Sequence, residues 1–356
     1  MSRVIRVSAM VVLAAALSSC SMFDYSGMVG NKYALVYGVT RYTMAQGPGL
    51  GPNLQYPDAD ASAMYALLNA GGYTVLGRWV DGNGSIIVNE TSLGSIGSPN
   101  YDNAGTFTDT GAVNVIQAPT KSTIIQDIRN LSATVGPNDV LVVYFSGHGT
   151  QDTLSTPSRE YFDPYQSVAY FTNASPSGYY DDPPKSVRDD ELGAAFAAIN
   201  TPRKVLILDT CNSGGFIGNQ LEVDATAQLY TGGWPVVTPG TLAQAISDYA
   251  SFRASPTGLS PYGAQVLSAA GRDESCYEWS VLPDGTPLAH GVMTFFLLQG
   301  LQGSQADLNH DGHVTVLEAF ATAKAGIEKN WNPYFLSSKQ AFEPHISGGP
   351  VDFVLF

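Results

Sequence analysis

Val140-Leu141-Val142-Val143-Tyr144-Phe145-Ser146-Gly147-His148-Gly149 and, further on, Val205-Leu206-Ile207-Leu208-Asp209-Thr210-Cys211-Asn212-Ser213-Gly214 decide how this chain folds. Each opens on a short, unbroken apolar run, the pattern of a strand buried on both faces of a parallel sheet. Each then breaks into small residues around one chemically capable side chain, His148 in the first and Cys211 in the second. In an open parallel sheet, sites lie beyond the carboxyl ends of the strands. Neighbouring strands run about 4.8 Å apart, so two such ends can bring a thiol and an imidazole together. A cysteine attacks as thiolate, and a nearby histidine can take its proton and return it to a leaving amine. The flanking glycines let backbone N–H groups crowd a developing oxyanion. The bland alternative is a histidine at a strand end and a small core cysteine.

Outward from these two segments, the pattern alternates buried strands with helices. Strands are expected over residues 33–39, 73–76, 140–145, 205–208, 266–269 and 351–356. Helices are expected over 58–70, 119–135, 189–199, 291–302 and 314–329, with one more near 242–252. Residues 77–118, with Asp81-Gly82 and Asn83-Gly84 turn signals, read as a β-hairpin insertion or long loop. Residues 150–186 read as loop, and 216–262 as a long, weakly patterned connection. The fold class that follows is α/β with a mainly parallel central sheet flanked by helices.

The strand-loop pairs Tyr144-Phe145-Ser146-Gly147-His148-Gly149 and Leu208-Asp209-Thr210-Cys211-Asn212-Ser213-Gly214 resemble the two active-site motifs of the caspase, metacaspase and paracaspase superfamily of cysteine peptidases. The second departs by Thr before the Cys and Asn after it, neither a catalytic position in that family. The resemblance covers roughly residues 32–355 and implies a caspase-like fold. It implies His148 and Cys211 as the catalytic pair, and the N–H groups of Gly149 and Cys211 as the oxyanion hole. In Asp58-Ala59-Asp60-Ala61, the Asp60-Ala61 pair matches the Asp-Ala that follows the first strand in metacaspases. Asp209 and Ser146 match the other positions of the specificity pocket. The resemblance thus implies cleavage after Arg or Lys, whose charge suits two carboxylates. The competing reading makes Asp60 a helix-start cap and Asp209 a loop-holding residue. Cys276 reads as a half-buried bystander. His290, in Ala289-His290-Gly291, follows no apolar strand and reads as structural.

Asp307-Leu308-Asn309-His310-Asp311-Gly312-His313-Val314-Thr315-Val316-Leu317-Glu318 fits the EF-hand calcium loop at every diagnostic position. Asp307, Asn309 and Asp311 would give side-chain oxygens, His313 its carbonyl and Glu318 a bidentate carboxylate, with Gly312 making the turn. The alternative is an Asp/Asn-rich turn before a helix. Oxygen ligands make zinc at His310 and His313 a poorer fit. Asp189-Asp190-Glu191 resembles the acidic pair that binds activating calcium in metacaspases, and equally suits the positive end of a helix.

Arg3, Arg6 and the apolar run 7–17 form an export signal too short to span a bilayer. It ends in Leu17-Ser18-Ser19-Cys20, which resembles the lipobox of bacterial lipoproteins and implies cleavage before Cys20 and its lipidation; an ordinary signal peptide is the alternative. Ser21 stands next, where an inner-membrane retention signal would have Asp, and resemblance to the enterobacterial rule implies the outer membrane of a bacterial envelope. Residues 1–20 are then the signal, 21–31 a tether and 32–356 the peptidase domain. The chain carries 17 basic and 31 acidic residues, a formal net charge of −14. This disfavours nucleic-acid binding and favours basic substrates and divalent cations. Of three cysteines, Cys20 leaves only Cys211 and Cys276, too few for a disulfide framework. The connection 216–262 contains one basic residue, Arg253, the candidate for self-cleavage by an enzyme of basic specificity. The expectation is a lipid-anchored, calcium-influenced cysteine endopeptidase. Its rivals are a calcium-binding surface module with a vestigial site and a transpeptidase using the same thiol.

Overall fold

The computed structural model describes residues 30–42, 53–91, 105–107, 118–152, 159–162, 164–165, 186–211, 213–217, 263–271, 274–302, 305–346 and 352–356. Three strands form the centre of the sheet: β1 (Lys32–Val39), β5 (Val140–Ser146) and β9 (Lys204–Asp209). Nearly every residue in them is buried, as expected of apolar runs covered on both faces. The remaining strands are β2 (Thr74–Val80), β3 (Ile86–Glu90), β4 (Gly105–Phe107), β10 (Gln265–Ser268) and β13 (His345–Ile346). The order across the sheet is β13-β10-β9-β5-β1-β2-β3-β4. The β2-β1-β5-β9-β10 centre is parallel, and the pairs β2–β3, β3–β4 and β10–β13 are antiparallel.

The helices among the described residues are α1 (Pro57–Ala70), α2 (Lys121–Leu131), α3 (Asp189–Ala197), α4 (Val292–Gln302), α5 (Val316–Asn330) and the short α6 (Asn332–Phe335). Side-chain alternation places them. Val36 pairs with Tyr144 in register, so those two side chains share a face and Tyr37 takes the other. The Tyr144 hydroxyl meets the Thr294 hydroxyl of α4 at 2.6 Å. The Tyr37 hydroxyl donates to Asp127 of α2 at 3.1 Å. Helices α4 and α2 therefore cover opposite faces. Asp127 also takes a two-point ion pair from the buried Arg78 at 2.8 and 3.2 Å. Lys204, at the start of β9, is buried and donates to the Phe196 and Ile199 carbonyls at the end of α3. Burial lowers its ammonium to about 8.

The strands at the two decisive segments fall within a residue of the expected bounds, and α3 within two, while α2 ends at Leu131, four residues short of the expected 135. Elsewhere the structure corrects the sequence reading. Strand β2 runs on to Val80 inside the stretch read as an insertion, and β3 and β4 extend the main sheet from it. Of the two readings of this stretch, hairpin or long loop, the described residues form the hairpin: β2 and β3 pair across the Asp81–Gly84 turn, and Ile86 and Val88 of β3 are buried while Ile87 is half-buried. The stretch read as loop carries a second small sheet of β6 (Gly149–Asp152), β7 (Arg159–Phe162) and β8 (Val187–Arg188). Residues 278–291, given no strand, form the hairpin β11 (Glu278–Val281) and β12 (Pro287–Gly291). The last expected strand is only an isolated bridge, Thr315 to Val354. The signal segment with Cys20, the helix near 242–252 and Arg253 lie outside the described residues. No described helix is long and apolar enough to cross a membrane.

Candidate active site

Strand register builds the site. Ser146 at the end of β5 pairs with Asp209 at the end of β9. His148 and Cys211 each stand two residues beyond that pair, on neighbouring loops at the carboxyl edge of the sheet. The His148 N–H donates to the Tyr42 hydroxyl at 2.8 Å, and the two rings pack at 5.1 Å between centroids. Gly149 lies directly against the Cys211 backbone. A methyl group built on it would collide with the Cys211 carbonyl and the Thr210 side chain, so only glycine fits. The sequence-predicted His148, Gly149 and Cys211 are thus brought together.

The Cys211 thiol faces the Cys276 carbonyl at 3.6 Å, and the two sulfurs are 4.0 Å apart. Hydrogen bonding from Cys276 lowers the Cys211 thiol from its ordinary value against the opposing effect of burial. Cys276 is pushed well above its own, first by its hydrogen bond to Cys211, then by burial. Sequence reading took Cys276 for a bystander. Nothing in its local pattern shows that the chain returns here, and only the fold sets it beside Cys211.

Below this pair sit the predicted pocket residues, on the α4 face. Asp60, in the first turn of α1, is 1% exposed and accepts from the Ser146 hydroxyl at 2.8 Å. It also accepts from the Gly291 N–H at 3.0 and 3.1 Å, and its Oδ1 lies 2.8 Å from His290 Nδ1. Asp209 accepts from the Thr294 N–H at 2.9 Å and its hydroxyl at 2.6 Å. A methyl on Gly291 would collide with both carboxylates, so the two share one small space. Burial, then the Asp60 charge, raises Asp209 to about 7, and burial raises Asp60 too. Asp60, Ser146 and Asp209 are therefore one cluster. Asp60 opens a helix, as the competing reading held, yet its side chain makes no cap bond and turns inward instead. His290, read as structural, belongs to the same cluster. It is presented by Ala289 at φ 50°, a strained conformation for a non-glycine residue. Positive φ at an alanine leaves no mark in a sequence. Glu278 of β11 closes the rim by accepting from the Gln55 and Tyr56 N–H groups at 2.8 to 3.0 Å.

The acidic loop stands apart from this site. Gly312 has φ 86°, the turn conformation the EF-hand pattern requires. Asp307 accepts from the Asp311 and Gly312 N–H groups at 3.1 and 3.0 Å, and Asn309 from the Asp311 N–H at 2.8 Å. Val314 N–H and carbonyl pair with Phe356 and Leu355 at 2.8 and 2.7 Å. Glu318 turns inward. Its Oε1 accepts from Leu308 and Asn309, and its Oε2 from the N–H and hydroxyl of Thr315, capping α5. The donor set of hard oxygens suits calcium in kind. Among the described residues, however, no three His, Cys, Asp or Glu side chains converge as a metal site. A cation would have to take Glu318 from those N–H groups. Asp189 and Asp190 are occupied locally: Asp190 pairs with Arg188 at 2.9 Å, and Asp189 accepts from the Asp190 N–H at 2.7 Å.

Metacaspase-1A of Neurospora crassa is 32% identical over 108 residues, 30% of this chain and 22% of the relative. Metacaspase-1B of Aspergillus terreus is 31% identical over 103 residues, 28% of this chain and 25% of the relative. The alignments thus span a quarter or less of those proteins' own length. A solved structural-genomics protein of Geobacter sulfurreducens covers 90% of this chain and 95% of its own at 16% identity, with a TM-score of 0.48. The caspase-domain profile matches residues 31–341, most of the chain. The chain belongs to the caspase-domain family of cysteine peptidases.

Proposed function

We propose that this chain is a cysteine endopeptidase that cleaves after Arg or Lys, with Cys211 as nucleophile and His148 as its base. The observation that supports it best is the Ser146–Asp209 register, which sets both side chains on adjacent loops above the Asp60–Asp209 cluster. Cys211 attacks the scissile carbonyl, and His148 takes the thiol proton and returns it to the leaving amine. The Gly149 and Cys211 N–H groups are assigned to the oxyanion. The substrate cation is assigned to Asp60 and Asp209, with Ser146 holding Asp60 in place. A cation in contact would draw Asp209 back towards ionisation, since an opposite charge favours the charged form.

The same reading places the chain on the outer membrane of a bacterial envelope through lipid on Cys20, with calcium on Asp307, Asn309, Asp311, the His313 carbonyl and Glu318. Calcium bound to these residues would brace the loop before α5 electrostatically. Asp189 and Asp190 are the weaker calcium candidates, and Arg253 is the self-cleavage site. The test is direct. Cys211→Ala and His148→Ala should each abolish hydrolysis of an arginyl peptide while keeping the parent's unfolding transition, because the pair acts as a unit. Full activity in either variant would sink the assignment. Asp60→Asn should cost about ten- to a hundredfold in kcat/KM for basic peptides, the worth of one charge-assisted hydrogen bond. An unchanged basic preference would put the pocket elsewhere. A thiol-reactive peptide inhibitor that fails to label Cys211 would favour the vestigial-site reading.

A further inference from the structure

Cys276 is a nucleophilic side chain that the proposed hydrolysis does not use. It sits in the stretch leading into β11, with its sulfur 4.0 Å from that of Cys211. The stretch is fixed on both sides of it. Glu274 accepts from the Gly271 and Glu343 N–H groups at 2.9 and 3.2 Å. The Tyr277 ring stacks on Trp331 at 6.1 Å and packs against Phe342 at 6.1 Å. Both thiols are free, and both residues are partly exposed. Two sulfurs in contact need to close by only about 2 Å to reach disulfide length, a movement within reach of side-chain torsions.

We propose that Cys276 is a resolving cysteine for Cys211: oxidised low-molecular-weight disulfides drive the pair to a Cys211–Cys276 disulfide that silences the site, and reduced thiols reopen it. The Cys211 thiolate attacks a disulfide RSSR, forming a mixed disulfide and expelling one RS⁻. Cys276 then loses its proton and attacks the Cys211 sulfur, expelling the second RS⁻. The protein gives up two electrons and two protons, and RSSR becomes two RSH. The order of events suits the pair. The hydrogen bond from Cys276 favours the Cys211 thiolate as first attacker. That same bond is the largest cause holding the proton on Cys276, and it vanishes once the Cys211 sulfur is engaged. A low-pKa thiol beside a second cysteine is the arrangement of reversible redox sites. The consequence for activity rests on Cys211 being the nucleophile; the formation of the bond does not.

Full-length protein would be equilibrated in glutathione buffers of rising oxidised fraction, acid-quenched, alkylated and peptide-mapped, which also separates Cys20. Hydrolysis would be read before and after dithiothreitol. The expected result is a peptide joining Cys211 to Cys276 that grows in step with lost hydrolysis and disappears on reduction. In Cys276→Ser, glutathione should accumulate on Cys211 instead. Glutathione or oxygen on Cys211 of the parent, with no joined peptide at any ratio, overturns the proposal. A saturated joined peptide with undiminished hydrolysis overturns the switch and the nucleophile reading, while the bond itself stands.

Discussion

Replacing Asp209 by Asn probes whether the carboxylate cluster is held as described. Burial and the neighbouring Asp60 lift the Asp209 carboxyl from 3.8 to about 7. In the unfolded chain the group titrates at its ordinary value. Between the two values the folded protein keeps a proton that the unfolded chain has released, so low pH favours folding there. This contribution is fully present below the unfolded value, falls as pH rises, and is gone above about 7. The displacement is about three units at about 1.4 kcal/mol each, so the parent should lose on the order of 4 kcal/mol between pH 4 and pH 8 from this group. The Asp60 charge is one cause of the shift, so the figure belongs to the pair rather than to one oxygen. Asn has no such proton and keeps an oxygen for the Thr294 hydroxyl. The assay is urea unfolding of parent and variant across that pH range. Self-repulsion from the net charge of −14 also weakens the protein as pH rises, but nearly equally in both. The difference between the two pH dependences therefore isolates the cluster. If both proteins lose stability equally within about 1 kcal/mol, the carboxylate is not perturbed by its burial and the reasoning fails. The same ionisation should lower KM for arginyl peptides as pH rises through about 7 in the parent and leave Asp209→Asn flat.

Arg78→Met would leave Asp127 buried without its cation and should cost about 3–5 kcal/mol by chemical denaturation. A loss under about 1 kcal/mol would show the ion pair contributes little beyond its burial. Calcium at a hundredfold excess over its dissociation constant should stabilise the parent by about 2.7 kcal/mol and Asp307→Ala hardly at all. Equal calcium-induced shifts of the melting temperature in both would remove the site from this loop. Asp307 is preferred to Glu318 for this test because Glu318 also caps α5, so its loss destabilises with or without the ion.

The central strands and the loops that end them were legible in the sequence because burial on both faces demands apolar residues throughout. Residues 140–145 and 205–208 show that without any partner in view. The Gly-flanked His148 and Cys211 were legible for a related reason: a catalytic group at a strand end needs small neighbours. Peripheral strands were less legible: β3 was open between hairpin and loop, and β11 was not seen, since exposure on one side relaxes the pattern and leaves turn residues dominant. Two partners of the site were invisible for a different reason. His290 and Cys276 each lie on a stretch of chain that taken alone favours a bland reading, whereas Asp60 and Asp209 were singled out already by their resemblance to the metacaspase pocket. Their meaning comes from contacts between stretches up to 230 residues apart, as between His290 and Asp60. Side-chain type and local period were set by the sequence itself. Which thiol faces which, and which carboxylate loses its water, was decided only when the strands came into register and the β11–β12 hairpin closed over the sheet edge.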